Sequence, residues 1–302
     1  MAAIETYGLS KSFGTARALD GVTFDVAEGE IFGMIGPDGA GKTTLFRLLT
    51  TLLTPDGGSA RVLGYDIAAD YRAIRSRVGY MPGRFSLYPD LSVRENLEFF
   101  AALFGVNVED SYNLIAPIYR QIEPFSKRRA GKLSGGMKQK LALCCALVHR
   151  PSVLFLDEPT TGVDAVSRSE FWDMLAALKA GGMSMLVSTP YMDETRRCDR
   201  IALCDKGHIL GIDTPQGIVS RFDARLYALS GSDMYGMLRA ARNYPDVTEC
   251  YPFGVSHHLT VNESFDAAAF ASELARQGFT DIDLHPASAG IEDVFIRLMH
   301  HE

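Results

Sequence analysis

The sequence predicts an α/β protein, with a mostly parallel sheet covered on both faces by helices and a small α+β domain after it. Three observations carry this. Short apolar runs bounded by turn residues or prolines recur as IFGMI (31–35), SVLFLDEP (152–159), MSMLVST (183–189) and RIALC (200–204), the pattern of strands buried on both faces. Helix-type stretches alternate with them, as parallel strand connections require. Beyond about residue 223 the runs weaken to RLYALS, HHLTV and DIDLH and interleave with helix-like DMYGMLRAAR, DAAAFASELARQ and GIEDVFIRLMHH. We therefore expect domains at 1–223 and 224–302, and the element order of the second suggests, without fixing, a ferredoxin-like arrangement.

Composition bounds the function. A chain of 302 residues, 47% hydrophobic and 22% charged, is globular and long enough for a sizeable core. Its net charge of −7 speaks against a nucleic-acid partner, because phosphate binding calls for a basic excess or a dense basic face. Lys127-Arg128-Arg129 is the one compact basic run and reads as a solvated loop. The five cysteines form no CxxC pair and no zinc-like array, which suits a reducing cytosol. With no signal peptide and no apolar run near the roughly 20 residues of a membrane span, any membrane role is expected to be peripheral.

In chain order, residues 1–65 read as short strands AAIETY, VTFDV and IFGMI, with a turn at Ala27-Glu28-Gly29-Glu30. After IFGMI comes Gly36-Pro37-Asp38-Gly39-Ala40-Gly41-Lys42-Thr43, which opens the helix TTLFRLLT. Strand before and helix after is the context that makes this a phosphate-binding loop. Glycines let the backbone wrap phosphate oxygens and aim its amides inward at the helix N-terminus. Lys42 would reach the β and γ phosphates, and the Thr43 hydroxyl would ligate Mg²⁺. Residues 92–104 start with Ser92-Val93-Arg94-Glu95, a capping box that marks a helix start. Residues 134–149 read as a helix ended by His149-Arg150-Pro151. The following strand ends in Asp157 and Glu158, where Asp157 would hold the metal and Glu158 would polarise the attacking water.

Leu133-Ser134-Gly135-Gly136-Met137-Lys138-Gln139 would in isolation be a glycine turn with a helix cap. The order phosphate loop, LSGGM, LFLDEP decides otherwise. The sequence resembles the ATP-binding cassette (ABC) family: GPDGAGKTT, ending at Thr44, is similar to its Walker A loop, LSGGMKQ to its signature and LFLDEP to its Walker B strand. The resemblance covers about residues 2–223 and implies a P-loop NTPase cassette, with a RecA-like core, an antiparallel β subdomain and a helical subdomain near 84–150. It also implies an ATPase subunit that binds ATP and Mg²⁺ and dimerises head to tail, so that Ser134, Gly135 and Gly136 act on the ATP of a second nucleotide-binding domain. Asp164 resembles the D-loop acid that touches the partner. Phe13 matches the aromatic that stacks on adenine, a core phenylalanine being the alternative.

PDGAGKTT, GKLSGGMKQKLAL, GVDAVSR and the ending IEDVFIRLM resemble the ATPase subunits of type-2 exporters of the drug-resistance kind. That implies a peripheral subunit on the cytoplasmic face of the plasma membrane, docked on separate transmembrane permease subunits. Phe85, Tyr88, Phe99 and Phe100 lie where such a subunit receives the permease's coupling helix, packing within the subdomain being the alternative for the last two. A soluble ABC ATPase acting on ribosomes would carry two cassettes and a basic linker, and a DNA-repair ABC ATPase a long coiled-coil insertion; neither is seen in the sequence.

Two positions depart from the family. Where it has a histidine contacting the γ-phosphate, this chain has Pro190, which offers neither a side-chain donor nor a backbone N–H. Where it has a glutamine contacting metal and water, this chain has Gly83. Lys42, Thr43, Asp157 and Glu158 are kept. We therefore expect binding to be preserved, turnover at the chain's own site to be slow, and the second ATPase to be a non-identical one rather than a copy of this chain.

Overall fold

The computed structural model describes residues 2–84 and 86–300, the side chain of His300 excepted. It divides into two compact units, Met1–Pro215 and Gln216–Glu302. The boundary thus precedes the expected 223. Asp223 and Phe222 belong to the second unit, held by Arg297, whose Nη2 lies 2.7 Å from Asp223 Oδ1 and whose guanidinium carbon lies 5.5 Å from the Phe222 ring centroid.

In the first unit, β1 (Ala2–Phe13) and β2 (Ala16–Ala27) form a long antiparallel hairpin. β3 (Ile31–Ile35) then runs through a glycine-rich loop into α1 (Lys42–Leu49). β4 (Gly57–Val62) and β5 (Tyr65–Asp66) join the hairpin in an antiparallel sheet of order β2-β1-β4-β5. After α2 (Tyr71–Arg75) and β6 (Val78–Met81) come three helices, α3 (Val93–Leu103), α4 (Val108–Tyr119) and α5 (Gly135–Leu147). β7 (Val153–Asp157), α6 (Ala165–Ala180), β8 (Ser184–Thr189), β9 (Arg200–Asp205) and β10 (His208–Asp213) follow, and α7 (Pro215–Ser220) starts at the boundary and belongs to the second unit from Gln216 on.

The central sheet has order β10-β9-β3-β8-β7-β6, parallel throughout except for the β9–β10 pair at one edge. Every residue of β3, β7 and β8 is buried, as expected for strands sandwiched between layers. Phe46 of α1 meets Phe155 of β7 edge to face, with centroids 6.1 Å apart. The capping box at α3 is formed, with the Glu95 N–H donating to Ser92 Oγ at 3.2 Å and the Ser92 N–H to Glu95 Oε2 at 2.8 Å. α4 was not foreseen from the sequence. Pro117 lies inside it, and the absent proline N–H leaves the helical acceptor four residues earlier without its usual donor.

The second unit is β11 (Arg225–Ser230), α8 (Met234–Arg242), β12 (Val247–Phe253), β13 (Ser256–Val261), α9 (Ala267–Arg276), β14 (Asp283–Pro286) and α10 (Ile291–His300). Its sheet has order β12-β13-β11-β14 with every pair antiparallel. With the element order βαββαβ this is a ferredoxin-like arrangement. β12 escaped the sequence reading because a register shift between Val247 and Glu249 breaks its alternation and Pro252 interrupts it. Proline is tolerated there because β12 is an edge strand.

Candidate functional site

The glycine-rich loop leaves the C-terminal end of β3 and enters α1 at Gly41, whose φ of 96° is left-handed. A side chain there would be strained, and its Cβ would lie 2.3 Å from the Ala18 carbonyl oxygen. A Cβ on Gly36 would lie 2.2 Å from the Cys204 carbonyl oxygen. Both glycines are therefore fixed by backbone approach. Lys42 is 5% exposed, and its ammonium donates to the carbonyls of Gly36 at 2.7 Å and Pro37 at 2.9 Å. The same nitrogen lies 3.3 Å from Glu158 Oε1.

The two carboxylates come from β7, which lies beside β8 with Asp157 opposite Ser188. The Ser188 hydroxyl donates to Asp157 Oδ1 at 2.7 Å and accepts from the Glu158 N–H at 2.9 Å. One buried hydroxyl thus braces both acids. The sequence reading missed Ser188, although its place at the end of an all-buried strand was a usable signal. Glu158 has a φ of 51°, rare for a residue with a side chain. The Glu158 N–H also donates to the Ser188 carbonyl at 3.1 Å, which helps to hold this turn.

A cleft of about 710 Å³ gathers Asp38, Gly39, Ala40, Gly41, Lys42, Thr43 and Thr44 of the loop with Asp157 and Glu158. Tyr80, Gly83 and Arg84 line it as well. Burial first, and then the charge of Asp157, push the Tyr80 phenol up to about 12, so it stays protonated. The Thr43 hydroxyl and the Asp157 carboxylate are hard oxygen donors in one cleft, the set that suits Mg²⁺ completed by phosphate and water.

Gly83 runs close to the acids: a Cβ on it would lie 3.0 Å from the Asp157 carbonyl oxygen and 3.7 Å from Glu158 Cβ. Pro190 directly follows β8 and is partly buried. The segment after it is tied down elsewhere: Glu194 Oε2 accepts from Thr189 Oγ1 at 2.6 Å and from Thr160 Oγ1 at 3.1 Å.

Ser134, Gly135, Gly136 and Asp164 are brought together, but not at this cleft. Ser134 caps α5, accepting from the Met137 N–H at 3.4 Å, and Asp164 caps α6, accepting from the Ser167 N–H at 3.0 Å. A Cβ on Gly136 would lie 2.8 Å from Ser167 Oγ, so the two helix starts abut. Phe13, at the end of β1, is 49% exposed and outside the lining of the cleft. Phe85 lies outside the described residues.

Comparison with known proteins bears directly on this arrangement. A family model described as ABC transporter matches residues 19–161. A Nod factor export ATP-binding protein of Paraburkholderia xenovorans is 35% identical over 305 residues, which are 100% of this chain and 98% of that protein. The chain belongs to the ATP-binding cassette family.

A daunorubicin resistance ATP-binding protein of Streptomyces coeruleorubidus is 34% identical over 308 residues, covering 99% of this chain and 95% of the relative. A probable multidrug ABC transporter ATP-binding protein of Escherichia coli is 39% identical over 276 residues, 90% of this chain but 47% of that protein. The cassette chain thus spans about half the length of that relative. Among solved structures, an ATP-binding subunit of an ABC transporter matches with a TM-score of 0.66 and 28% identity, over 73% of this chain and 93% of that one. The fold is also that of a dimeric cassette in a post-hydrolysis state bound to ADP and phosphate, with a TM-score of 0.64 and 23% identity over 70% of this chain and 98% of that one. Among the described residues, no helix is long and apolar enough to cross a membrane.

Proposed function

We propose that this chain is the ATP-binding subunit of an export complex, peripheral on the cytoplasmic face of the membrane. It binds MgATP in its own cleft and hydrolyses it slowly, and it completes a competent site on a second, non-identical ATPase. The observation that carries this reading is the division of the machinery. The loop, Asp157 and Glu158 share one cleft, while Ser134, Gly135, Gly136 and Asp164 form a separate patch. Within one chain the signature residues are not part of the cleft's lining, which favours pairing with a second cassette.

In the cleft, the backbone amides from Gly39 to Thr43 and the Lys42 ammonium hold the phosphates. Phosphate oxygens take over Lys42 from the Gly36 and Pro37 carbonyls and from Glu158, freeing Glu158 to accept a proton from water. Thr43 and Asp157 hold Mg²⁺, which when bound neutralises charge on the transferring phosphoryl group. Ser188 keeps Asp157 aimed. Gly83 and Pro190 supply no side-chain group to order the water and the γ-phosphate. Losing a preorganised donor typically costs about 10²–10³ in rate.

A second surface supports docking on a permease. A groove of about 460 Å³ is lined by Leu87, Phe100, Leu103, Phe104 and His149, among others, and Leu103 is 66% exposed. Tyr88 and Phe99, their centroids 4.7 Å apart, are 48% and 39% exposed on the same subdomain. Relatives named as export and drug-resistance ATP-binding proteins favour a permease helix as the occupant.

The test is ATP hydrolysis by the purified chain beside Pro190→His and the double variant Pro190→His with Gly83→Gln. The wild type should bind MgATP and turn it over slowly, and the double variant should gain about tenfold or more. Wild-type turnover at the usual 1–10³ s⁻¹ of enzymes, with no gain in either variant, would overturn the slow-site reading.

A further inference from the structure

The loop after β6 carries a cation with no role so far. Arg84 lines the same cleft as Lys42, Thr43, Asp157 and Glu158. Among the described residues it makes no hydrogen bond and no ion pair, and it is exposed. Lys42, the cation of the phosphate loop, is by contrast held by two carbonyls and Glu158.

Its placement follows from Gly83. The backbone there runs so close to Asp157 that a Cβ would lie 3.0 Å from the Asp157 carbonyl oxygen, and Glu158 Cβ is the next side-chain atom at 3.7 Å. The chain therefore passes the carboxylate end of the cleft with no side chain at 83. Arg84 directly follows that passage and is the next side chain of this loop to line the cleft. Among the described residues no carboxylate pairs with the Arg84 guanidinium, which leaves its donors free for an anion entering the cleft. Its planar fork matches phosphate oxygens two at a time.

We propose that Arg84 is a phosphate-binding residue of this chain's own site, contacting the terminal phosphate of a nucleoside triphosphate. The assignment rests on the reading of the cleft as an ATP site. Arg84 offers charge where a glutamine would offer a metal and water contact. The site is thereby biased toward retaining a triphosphate, with or without metal, rather than toward ordering an attacking water. A diphosphate ends short of Arg84 and loses this contact, so the residue sets preference for triphosphate over diphosphate.

The experiment measures equilibrium binding of ATP and of ADP to the full chain, each with Mg²⁺ and with EDTA, for the wild type, Arg84→Ala, Arg84→Lys and Lys42→Ala. Arg84→Ala should weaken ATP about tenfold or more and ADP by less than about threefold, in both metal conditions. Arg84→Lys should fall between, keeping charge and losing the fork. Equal losses for ATP and ADP, or no loss for either, would overturn the assignment. If Arg84→Ala is silent while Lys42→Ala removes ATP binding, the ATP site stands and Arg84 has no part in it. If the wild type binds neither nucleotide, the reading of the cleft fails and takes this proposal with it.

Discussion

At the residue scale, Ser188 carries the most chemistry for its size. It is fully buried, and its hydroxyl is a donor to Asp157 and an acceptor for the Glu158 N–H at once. Ser188→Ala removes both bonds, although the Glu158 N–H keeps the Ser188 carbonyl. The expected outcome is a loss of about 1–3 kcal/mol of stability. MgATP affinity should fall on the order of tenfold, and ATP affinity in EDTA should change little, because only the metal ligand has lost its brace. Thermal unfolding and paired binding titrations check both; equal losses with and without metal would assign Ser188 a purely structural role. That the loop glycines, Lys42, Asp157 and Glu158 share one cleft was legible in the sequence, because a phosphate-binding reading ties residue type to spacing. Ser188 was not, since its partnership depends on strand register: it meets Asp157 only because β7 and β8 lie side by side in parallel.

At the scale of elements, the strands of the central sheet were readable because burial on both faces makes them uninterrupted apolar runs. α4 and β12 were hidden by prolines and a register shift, which break the periodicity that marks a helix or strand. α10 illustrates a different limit, since nothing in IEDVFIRLM announces that its acid is interior. Asp293 is 0% exposed, accepts from Tyr251 Oη at 2.8 Å, takes the Gly290 N–H at 2.7 Å, and lies 2.6 Å from His258 Nδ1. The cluster clamps α10 to strands β12 and β13. Asp293→Asn keeps the shape but loses the charge and offers one carbonyl acceptor where two oxygens stood. We expect it to destabilise the second unit by about 1–3 kcal/mol, leaving ATP binding by the first unit unchanged. Calorimetry combined with nucleotide titration measures this, and an unchanged unfolding profile would remove the clamp from the account.

At the scale of the whole molecule, the proposed function makes assembly part of the chemistry. Asp164 accepts from the Ser167 N–H and the Gly136 backbone abuts Ser167, so the segments that resemble the signature and the D-loop lie together in one patch. The cleft, in contrast, has Gly83 and Pro190 at its two departures. A homodimer would contain two such clefts and no site with both sensors. A heterodimer would contain one full site, built from the partner's cleft and this chain's signature. The asymmetry therefore predicts composition. Mass measurement of the gently extracted native complex should find one copy of this chain beside a different ATPase that carries glutamine and histidine at the corresponding positions, together with permease subunits. In that complex, Ser134→Arg on this chain, which fills the signature patch, should lower ATP hydrolysis on the order of 10²-fold or more, whereas Glu158→Gln on this chain should change it by less than about twofold, because Glu158 serves the slow site. Two copies of this chain, or equal losses from the two variants, would mean that this chain's own cleft does the hydrolysis without either sensor.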